Sequence, residues 1–286
     1  MNKLKYLIQF LIIIFIFSLF KILGYKISSY VGGKLFQIVG PLFRSKKIIF
    51  SNIKKVFPEK KIFEIKKINS SMWNNYGRIF AEYMFIKNFR FGKLDKNISI
   101  EGREILNEIK DKKQQVIFIS GHFNNFELMA MEIEKSGINI ASIYRPLNNL
   151  FLNVLMERIR KKYICKNQIK KGIGGLRDII NFSNKGYSIA LMIDQRVSEG
   201  IKINFFNHKA YTTSIPAQLI KKFNIPVVPV YIERFQGTKF KIKVSKPVNF
   251  SKNDSLESIT EELNRVLEKM ILNKPEQWIW SHNRWK

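Results

Sequence analysis

Cysteine and histidine are both scarce in this 286-residue chain. The single cysteine, Cys165, excludes an intramolecular disulfide and a zinc site built on several cysteines, and it fits a reducing compartment. The 3 histidines are scattered along the chain, so we predict no metal and no nucleotide cofactor. With only 8 prolines and 15 glycines, collagen-like and low-complexity proteins are excluded as well.

Acidic residues are few compared with basic ones. The chain has 50 lysines and arginines against 22 aspartates and glutamates, a formal net charge of +28. Such a surface attracts anions, which include nucleic acid, anionic lipid head groups, phosphorylated substrates and acidic proteins. Charge alone does not choose among them. Apolar residues make up 45% of the chain, which excludes a wholly disordered protein, and the length allows one large domain or two small ones.

The longest uncharged apolar run, Leu7 to Phe20, lies near the N-terminus. Extended to Leu4–Leu23, it would form a helix about 30 Å long, the thickness of the bilayer hydrocarbon. We therefore predict an uncleaved membrane anchor over residues 1–24; a cleaved signal peptide and a buried core helix are the alternatives. Basic residues are more numerous after this run than before it, which predicts that the rest of the chain is cytoplasmic.

The remainder divides into two regions. Residues 25–95 have an amphipathic helical pattern typical of a membrane-proximal region, and their aromatic patch at 72–80 is either ordinary core or a surface resting on lipid. Over 96–286, β-branched and aromatic runs alternate with helical stretches, which predicts an α/β domain with a central sheet flanked by helices. The predicted strands are Ile98–Glu101, Gln115–Ser120, Ile138–Tyr144, Ser188–Asp194, Ile225–Arg234 and Lys239–Ser245, and the predicted helices lie near 102–111, 125–136, 149–162, 174–185, 213–223 and 255–272.

The segment 115–127 carries the clearest chemical signal, because a buried strand runs through a Gly-His pair into a helix. On one continuous helix His122 and Glu127 would lie ~140° apart, so they meet only if His122 sits in the turn and Glu127 on the first helical turn. Histidine is the usual general base near neutral pH, and a carboxylate on its second nitrogen fixes its tautomer. The alternative is a turn histidine without a partner.

The sequence GHFNNFE at 121–127 looks like the His-x4-Asp/Glu motif of glycerolipid-type acyltransferases. Together with the N-terminal anchor and other stretches in the expected order, it makes nearly the whole chain resemble the bacterial lipid A late acyltransferases, the lauroyl/myristoyl transferase family of lipopolysaccharide assembly. The chain departs from the family where Asn124-Asn125-Phe126 replaces Gly-Asn-Trp and where Asn283 replaces a second arginine. The other stretches are IYRPL at 143–147, KGIGGLR at 171–177, LMIDQR at 191–196, NFFN at 204–207 with Thr212-Thr213, IPVVPV at 225–230 and PEQWIWSHNRW at 275–285.

This resemblance implies direct transfer of an acyl chain from an acyl carrier protein thioester to a hydroxyl of a lipid A precursor, a phosphorylated glucosamine disaccharide bearing Kdo sugars. His122 would act as general base, Glu127 would hold it, and no covalent acyl-enzyme is expected. The turn amides of Gly121 to Asn125, or an arginine, would stabilise the oxyanion. The resemblance also implies a glycerolipid-acyltransferase-like sheet, no cofactor, and a single-pass protein of the bacterial inner membrane with its catalytic domain on the cytoplasmic face.

Four further residues are predicted to bind substrate: Arg145, Arg177, Asp194 and Asn125. Arg145 follows a strand and Arg177 opens a helix, so each could clamp a sugar phosphate or the phosphopantetheine of the donor, although a surface ion pair is the alternative. Asp194 ends a strand and would orient an arginine or a sugar hydroxyl, or cap the following loop. We interpret Cys165 as structural, and the C-terminal tryptophans at 278, 280 and 285 as packing residues.

The predicted partners are acyl carrier protein, the lipid A precursor and the anionic leaflet of the inner membrane, with no nucleic acid. Acyl carrier proteins are strongly acidic, so the charge of +28 would steer their encounter. An apolar groove for the acyl chain is expected beside the His122 turn. Two alternatives are an acyltransferase acting on a glycerophospholipid or another glycolipid and, more remotely, a membrane-tethered nucleic-acid binder suggested only by the charge.

Overall fold

The computed structural model describes residues 2–286, so the first residue of the predicted anchor segment lies outside the described residues. The fold begins with helices and continues as alternating strands and helices. The α-helices are α1 (Asn2–Leu23), α2 (Tyr25–Phe43), α3 (Lys46–Val56), α4 (Ile62–Glu82), α5 (Ile86–Phe91), α6 (Arg103–Asp111), α7 (Glu127–Lys135), α8 (Leu150–Tyr163), α9 (Ile173–Asn184), α10 (Ile215–Phe223) and α11 (Leu256–Asn273). Short 3₁₀ helices cover Tyr83–Phe85, Asp95–Asn97 and Pro275–Gln277.

A central sheet carries the site. Its strand order is β1-β9-β8-β2-β5-β3-β4, and neighbours are parallel except for the antiparallel pair β8 and β9. This confirms the predicted α/β fold with a central sheet flanked by helices. The strands are β1 (Ile98–Glu101), β2 (Ile117–Ser120), β3 (Ile140–Tyr144), β4 (Asn167–Lys170), β5 (Ser188–Met192), β6 (Ile201–Phe205), β7 (His208–Thr212), β8 (Val227–Phe235) and β9 (Lys239–Val244).

Three strands were not predicted from the sequence. The edge strand β4 reads Asn-Gln-Ile-Lys and has no apolar run. Strands β6 and β7 form a separate hairpin in which Phe205 pairs with His208. The two turn residues, Phe206 and Asn207, both have positive φ angles. Such a turn is usually recognised in a sequence by a glycine, and this hairpin has none there.

Close packing of α2 on α4 holds the helical N-terminal region together. Gly32 of α2 and Gly77 of α4 face each other, and a Cβ added at either glycine would clash with backbone atoms of the other. Met72 and Trp73 of the aromatic patch are buried. They belong to the same apolar cluster as the buried residues of the sheet, so the helical region and the sheet share one core. The domain boundary at 95/96 stays a prediction.

The first helix has the length and composition of a membrane span. Within its stretch Lys3–Leu23, the most apolar window of 18 residues has a mean hydropathy of 2.4, and only 11% of that window is buried against the rest of the chain. The alternative of a buried core helix is therefore disfavoured. After α2 the chain turns at Arg44 and Ser45, where the Ser45 hydroxyl accepts a hydrogen bond from the amide of Ile48 and caps α3.

Candidate active site

The predicted strand–turn–helix at 115–135 is present as β2, a turn over 121–126 and α7. Asn124 adopts a left-handed conformation with φ 45°, which asparagine tolerates better than most residues. Its amide and its side chain both donate to Gln277, to the backbone oxygen at 3.0 Å and to Oε1 at 2.6 Å. The turn is therefore held by the C-terminal segment as well as by its own chain neighbours.

His122 is paired with Asp194. Its Nδ1 lies 2.7 Å from Asp194 Oδ1, and its backbone amide donates to Asp194 Oδ2 at 2.7 Å. The reason lies in the sheet register, because β2 and β5 are parallel neighbours in which Ser120 pairs with Met192. His122 and Asp194 each lie two residues beyond this pair, so both emerge side by side at the carboxyl edge of the sheet.

Asp194 is fully buried, and its carboxylate has three hydrogen-bond donors. Besides the two from His122, Trp278 Nε1 donates to Oδ2 at 2.9 Å. Burial alone would raise the pKa of Asp194, but the charge and hydrogen bonds of His122, with that of Trp278, hold the pKa below its usual value. Asp194 therefore remains ionised beside the imidazole.

The same pairing shifts the pKa of His122 upward. Burial lowers the pKa of the imidazole, but the charge and hydrogen bond of Asp194, with a smaller contribution from Glu127, outweigh it. With Nδ1 directed to the carboxylate, Nε2 is left for a proton acceptor role. The side chain is 22% exposed, and it lines the large cavity described below, so the imidazole is accessible from that cavity.

The structure corrects the predicted pairing of His122 with Glu127. Glu127 is the first residue of α7, and its Oε1 accepts from Arg160 of α8, at 2.8 Å from Nε and 2.5 Å from the terminal nitrogen Nη2. Asp194 takes the place at His122 because it comes from the adjacent strand, whereas the helix directs Glu127 toward α8. Glu127 and Arg160 nevertheless line the same cavity as His122.

The backbone amides of the turn are already occupied. Those of His122, Phe123, Asn124 and Asn125 donate to Asp194, Gly121, Gln277 and the Asn124 side chain respectively. These four amides are therefore not free to stabilise an oxyanion, which corrects the expectation for residues 122–125 and leaves the arginine alternative. Arg160 and His282 are among the side-chain donors that line the cavity, and each lies close enough to His122 for their charges to interact.

A cavity of about 1040 Å³ opens beside the His122 turn. Its wall on the sheet includes one register row across four strands: Phe118, Ala190, Ser142 and Gln168. Met129 and Ile133 of α7 are among the residues of the opposite side. Ala190 and Ser142 are partly exposed to this cavity although β5 and β3 are inner strands, because small side chains there leave space between sheet and helix. The cavity is partly apolar: of the apolar residues near the His122 turn, Phe118, Phe126 and Met129 line it. That it receives an acyl chain stays a prediction.

Cationic side chains surround the cavity. Arg145, which follows β3, lines it, and its binding of substrate stays a prediction. Arg177 lies exposed on α9 and does not line it, and the Asn125 side chain is buried and donates to Glu82 Oε2 at 3.2 Å. The structure therefore does not bring Arg177 or Asn125 to the cavity. The other cations that line it, besides Arg145 and Arg160, are Arg44, Lys171, Arg196 and Lys286.

His282 is a cavity residue that was given no role from the sequence. Its Nε2 accepts a hydrogen bond from the amide of Arg196 at 2.9 Å. Burial, with a smaller contribution from nearby positive groups, lowers the pKa of His282 to about 4, so the ring is neutral and its proton resides on Nδ1. The only sequence signal near His282 was its tryptophan-rich surroundings, which indicated packing. Trp278 is indeed buried, and it also donates a hydrogen bond to Asp194.

A buried ion pair supports the turn from behind. Glu82 of α4 is fully buried, and both of its oxygens accept from Arg234 of β8. Ser29 of α2 donates to the same carboxylate at 2.7 Å, and Asn125 completes the set. The end of α4 therefore connects the helical region to the residue three positions after His122. Neither Glu82 nor Arg234 stands in a sequence pattern that marks it as functional.

Comparison with known proteins identifies a family for this chain. The family model for bacterial lipid A biosynthesis acyltransferases matches residues 1–286. The chain is 22% identical over 269 residues to the lipid A biosynthesis palmitoleoyltransferase of Escherichia coli K12, covering 92% of this chain and 86% of that protein. It is 24% identical over 254 residues to the lipid A biosynthesis lauroyltransferase of the same strain, covering 85% and 79%. The match to lipid A biosynthesis acyltransferase 2 of Shigella flexneri is 23% identical over 193 residues and covers 66% of this chain and 60% of that protein.

Proposed function

Because the chain belongs to the bacterial lipid A biosynthesis acyltransferase family, we propose that it moves a fatty acyl chain from an acyl carrier protein thioester to a hydroxyl of a lipid A precursor. One observation carries the chemistry: the imidazole of His122, oriented by a buried Asp194 carboxylate, stands on the wall of a cavity that is partly apolar and bears cationic groups.

In the proposed mechanism, His122 Nε2 accepts the proton of the acceptor hydroxyl as that oxygen attacks the thioester carbonyl carbon. Asp194 stabilises the imidazolium that forms. The tetrahedral intermediate then breaks its carbon–sulfur bond, and the departing thiolate takes the proton from His122. A thiolate is a good leaving group, so the acyl chain passes directly to the acceptor and no acyl-enzyme is required.

The negative oxygen of the tetrahedral intermediate requires hydrogen-bond donors. Arg160 is supported in this role because Glu127 fixes its guanidinium at the cavity, and the four occupied turn amides are not competitors. Glu127 is then a positioning residue for Arg160, and it adds negative charge that favours protonation of His122. Arg145 is proposed to contact a phosphate of the acceptor or of the donor's phosphopantetheine.

The apolar part of the cavity is proposed to receive the acyl chain, with the polar head of the lipid among the cations that line it. The donor carrier is an acidic protein in this proposal, and the acceptor is reached at the cytoplasmic face of the inner membrane. The net charge of +28 favours both encounters, because an acidic carrier and an anionic leaflet are attracted by the same surface.

A direct assay tests the proposal. The full-length protein in detergent is incubated with acyl carrier protein thioesters and a Kdo-bearing lipid A precursor, and the product is measured by mass. We expect the precursor to gain one acyl group, and His122→Ala to lower the rate by roughly 10²–10⁴-fold. Acylation of lysophosphatidic acid but not of the precursor would favour a glycerophospholipid acceptor. Absence of acyl transfer with every donor would refute the proposal.

A further inference from the structure

The first helix does not project from the protein. At its N-terminal end, the side chain of Asn149, which caps α8, donates to the backbone oxygen of Tyr6 at 2.9 Å and to Gln9 Oε1 at 3.3 Å. One turn further along, the rings of Phe10 and Phe151 lie 5.9 Å apart. The start of α1 is therefore attached to the start of α8 by both polar and apolar contacts.

The C-terminal end of α1 is attached to a different part of the body. Phe17 and Phe20 are buried against Phe80 of α4, with ring centroids 4.8 Å and 6.2 Å away. The ammonium group of Lys21 lies 5.1 Å from the ring of Phe85. From Tyr6 to Lys21 the helix is thus in contact with the body over about 22 Å of its length.

Contact over this length is difficult to reconcile with a helix that crosses the bilayer. If α1 stood perpendicular to the membrane, the part of the body beside Tyr6 would lie near one membrane surface and the part beside Lys21 near the other. Arg145, four residues before Asn149, and the cationic cavity would then have to be inserted to bilayer depth. Ionised groups inside the hydrocarbon are costly, and irregular backbone exposed to lipid is not tolerated there.

The outer face of α1 is apolar and exposed from end to end. Leu4, Leu11, Phe15 and Ile22 are 57–81% exposed and lie on the side that points away from the body. Lys3, Lys5, Lys21 and Lys26 flank this stripe at both ends. The inner face of α1 is apolar too, but the body covers it at Phe10, Phe17 and Phe20. The face that remains exposed is apolar with basic ends, which fits an arrangement along the membrane surface, where long lysine side chains reach the head groups.

Two neighbouring elements extend this apolar surface toward the cavity. On α2 the exposed apolar residues include Ile38, Leu42 and Phe43, at 73–82% exposure, while the opposite face of α2 is packed on α4. On the other side, Leu150 and Val154 lie exposed near the α1 contact on α8. Phe43 and Leu147 are themselves cavity-lining residues, so the apolar surface continues to the cavity mouth.

We propose that α1 lies in the plane of the membrane surface and does not cross it. The outer faces of α1 and α2 and the start of α8 then form one docking surface for a single leaflet with anionic head groups. Both ends of α1 lie on the same side of the membrane, where their lysines meet the negative lipid charge. The cavity mouth is at the level of the head groups, so a lipid reaches His122 from the side without leaving its leaflet.

The position of the N-terminus tests this proposal directly. Lys3→Cys is placed in the full-length protein, and membrane vesicles are treated with a membrane-impermeant maleimide. Lys252→Cys, in an exposed loop of the catalytic part, is the matched control; the native thiol, Cys165, is buried, so the unsubstituted protein gives the background. We expect both substituted cysteines to be labelled in inverted vesicles and both to be protected in right-side-out vesicles. If Lys3→Cys is labelled in right-side-out vesicles and Lys252→Cys is protected there, α1 crosses the membrane and the proposal is overturned.

A second measurement tests whether α1 stays on the body in the membrane. Gln9→Cys with Asn149→Cys joins two positions whose side chains are in contact, whereas Leu11→Cys with Asn149→Cys uses the exposed outer face of α1. With a short bismaleimide in native membranes, we expect an intramolecular bridge in the first pair and at least ~10-fold less in the second. Equal or absent bridging in both pairs would show that α1 leaves the body, and the in-plane arrangement would be wrong. Neither measurement depends on acyl transfer, so the membrane arrangement is tested separately from the proposed function.

Discussion

At the scale of single residues, the pairing of His122 with Asp194 determines when the imidazole can accept a proton. The Asp194 carboxylate raises the pKa of His122 above the ordinary value of a histidine. A general base must be deprotonated, so the rate is expected to rise with pH through this raised pKa. The acid side of the pH–rate profile therefore reports on Asp194 as well as on His122.

We predict that Asp194→Asn lowers the rate by about 10²–10⁴-fold, because the imidazole loses its orienting acceptor and the charge that stabilises its protonated form. Removing that negative charge lowers the pKa of His122, so the acid limb of the residual activity moves to lower pH. Asp178→Asn, at an exposed acid on α9, is the matched control and is expected to change neither quantity. An unshifted limb in Asp194→Asn would contradict the pairing.

The second residue-scale prediction concerns Glu127 and Arg160, which are expected to act as one unit. If Glu127 serves by holding Arg160, then Glu127→Ala, Arg160→Ala and the double variant all lose activity to a similar extent, since each removes the same arrangement. The exposed pair Glu108 and Lys112 is the control, and its alanine variants are expected to keep full activity. Steady-state kcat for the four members of the cycle is the measurement; losses that multiply in the double variant would show independent roles.

At the scale of elements, the contact between α2 and α4 depends on glycines. A methyl group at Gly77 would clash with the backbone oxygen of Gly32, so Gly77→Ala forces the two helices apart. We predict a loss of about 1–3 kcal/mol in the free energy of unfolding, measured by denaturant titration in detergent. Gly174→Ala on α9 is the control, because no heavy atom lies within 4 Å of its added Cβ; a change within about 0.5 kcal/mol is expected. Equal effects of the two substitutions would contradict the close contact between Gly32 and Gly77.

The sequence predicts elements well where the pattern is local. The strand at 117–120, its Gly-His turn and the following helix were predicted because apolar runs, glycine and helical periodicity all lie within twenty residues. The partner of His122 could not be predicted in this way. It depends on β5 being the neighbour of β2 and on the register of Ser120 with Met192, and both follow from packing of the whole sheet.

The same limit explains the other differences at the site. Asp194 stood out in the sequence as a strand-end carboxylate, but its partner is a turn histidine 72 positions earlier in the chain. Glu82 and Arg234 are ordinary charged residues in the sequence, and only the fold makes them a buried pair that supports Asn125. Arg177 was predicted to bind substrate because it follows a glycine-rich stretch, yet it lies exposed on α9 and does not line the cavity.

At the scale of the whole molecule, the excess of basic residues has a function only where it is exposed and unpaired. Several of the buried or partly buried cations are already paired, as in Arg234 with Glu82 and Arg160 with Glu127. Arg145, Lys171 and Lys286 line the cavity without an acidic partner among the salt bridges of residues 2–286. The positive field is therefore available at the entrance to the site, where an anionic donor and an anionic lipid must both arrive.

Salt is expected to weaken the encounter with the donor under the proposed function. Charges more than about 10 Å apart are largely screened at 0.1 M ionic strength, whereas contacts made inside the cavity are screened much less. Raising NaCl from about 20 mM to about 300 mM should lower kcat/KM for the acyl carrier protein thioester by ~10-fold or more, with little change in kcat.

The control for the salt effect is an acyl pantetheine thioester, which delivers the same acyl group without an acidic protein. Its kcat/KM is expected to change less than about two-fold over the same range, because its association is not steered by the protein field. A parallel fall for both donors would place the salt effect on the lipid acceptor or on the site itself. In that case the positive surface serves the membrane alone, and recognition of the donor depends on contacts within the cavity.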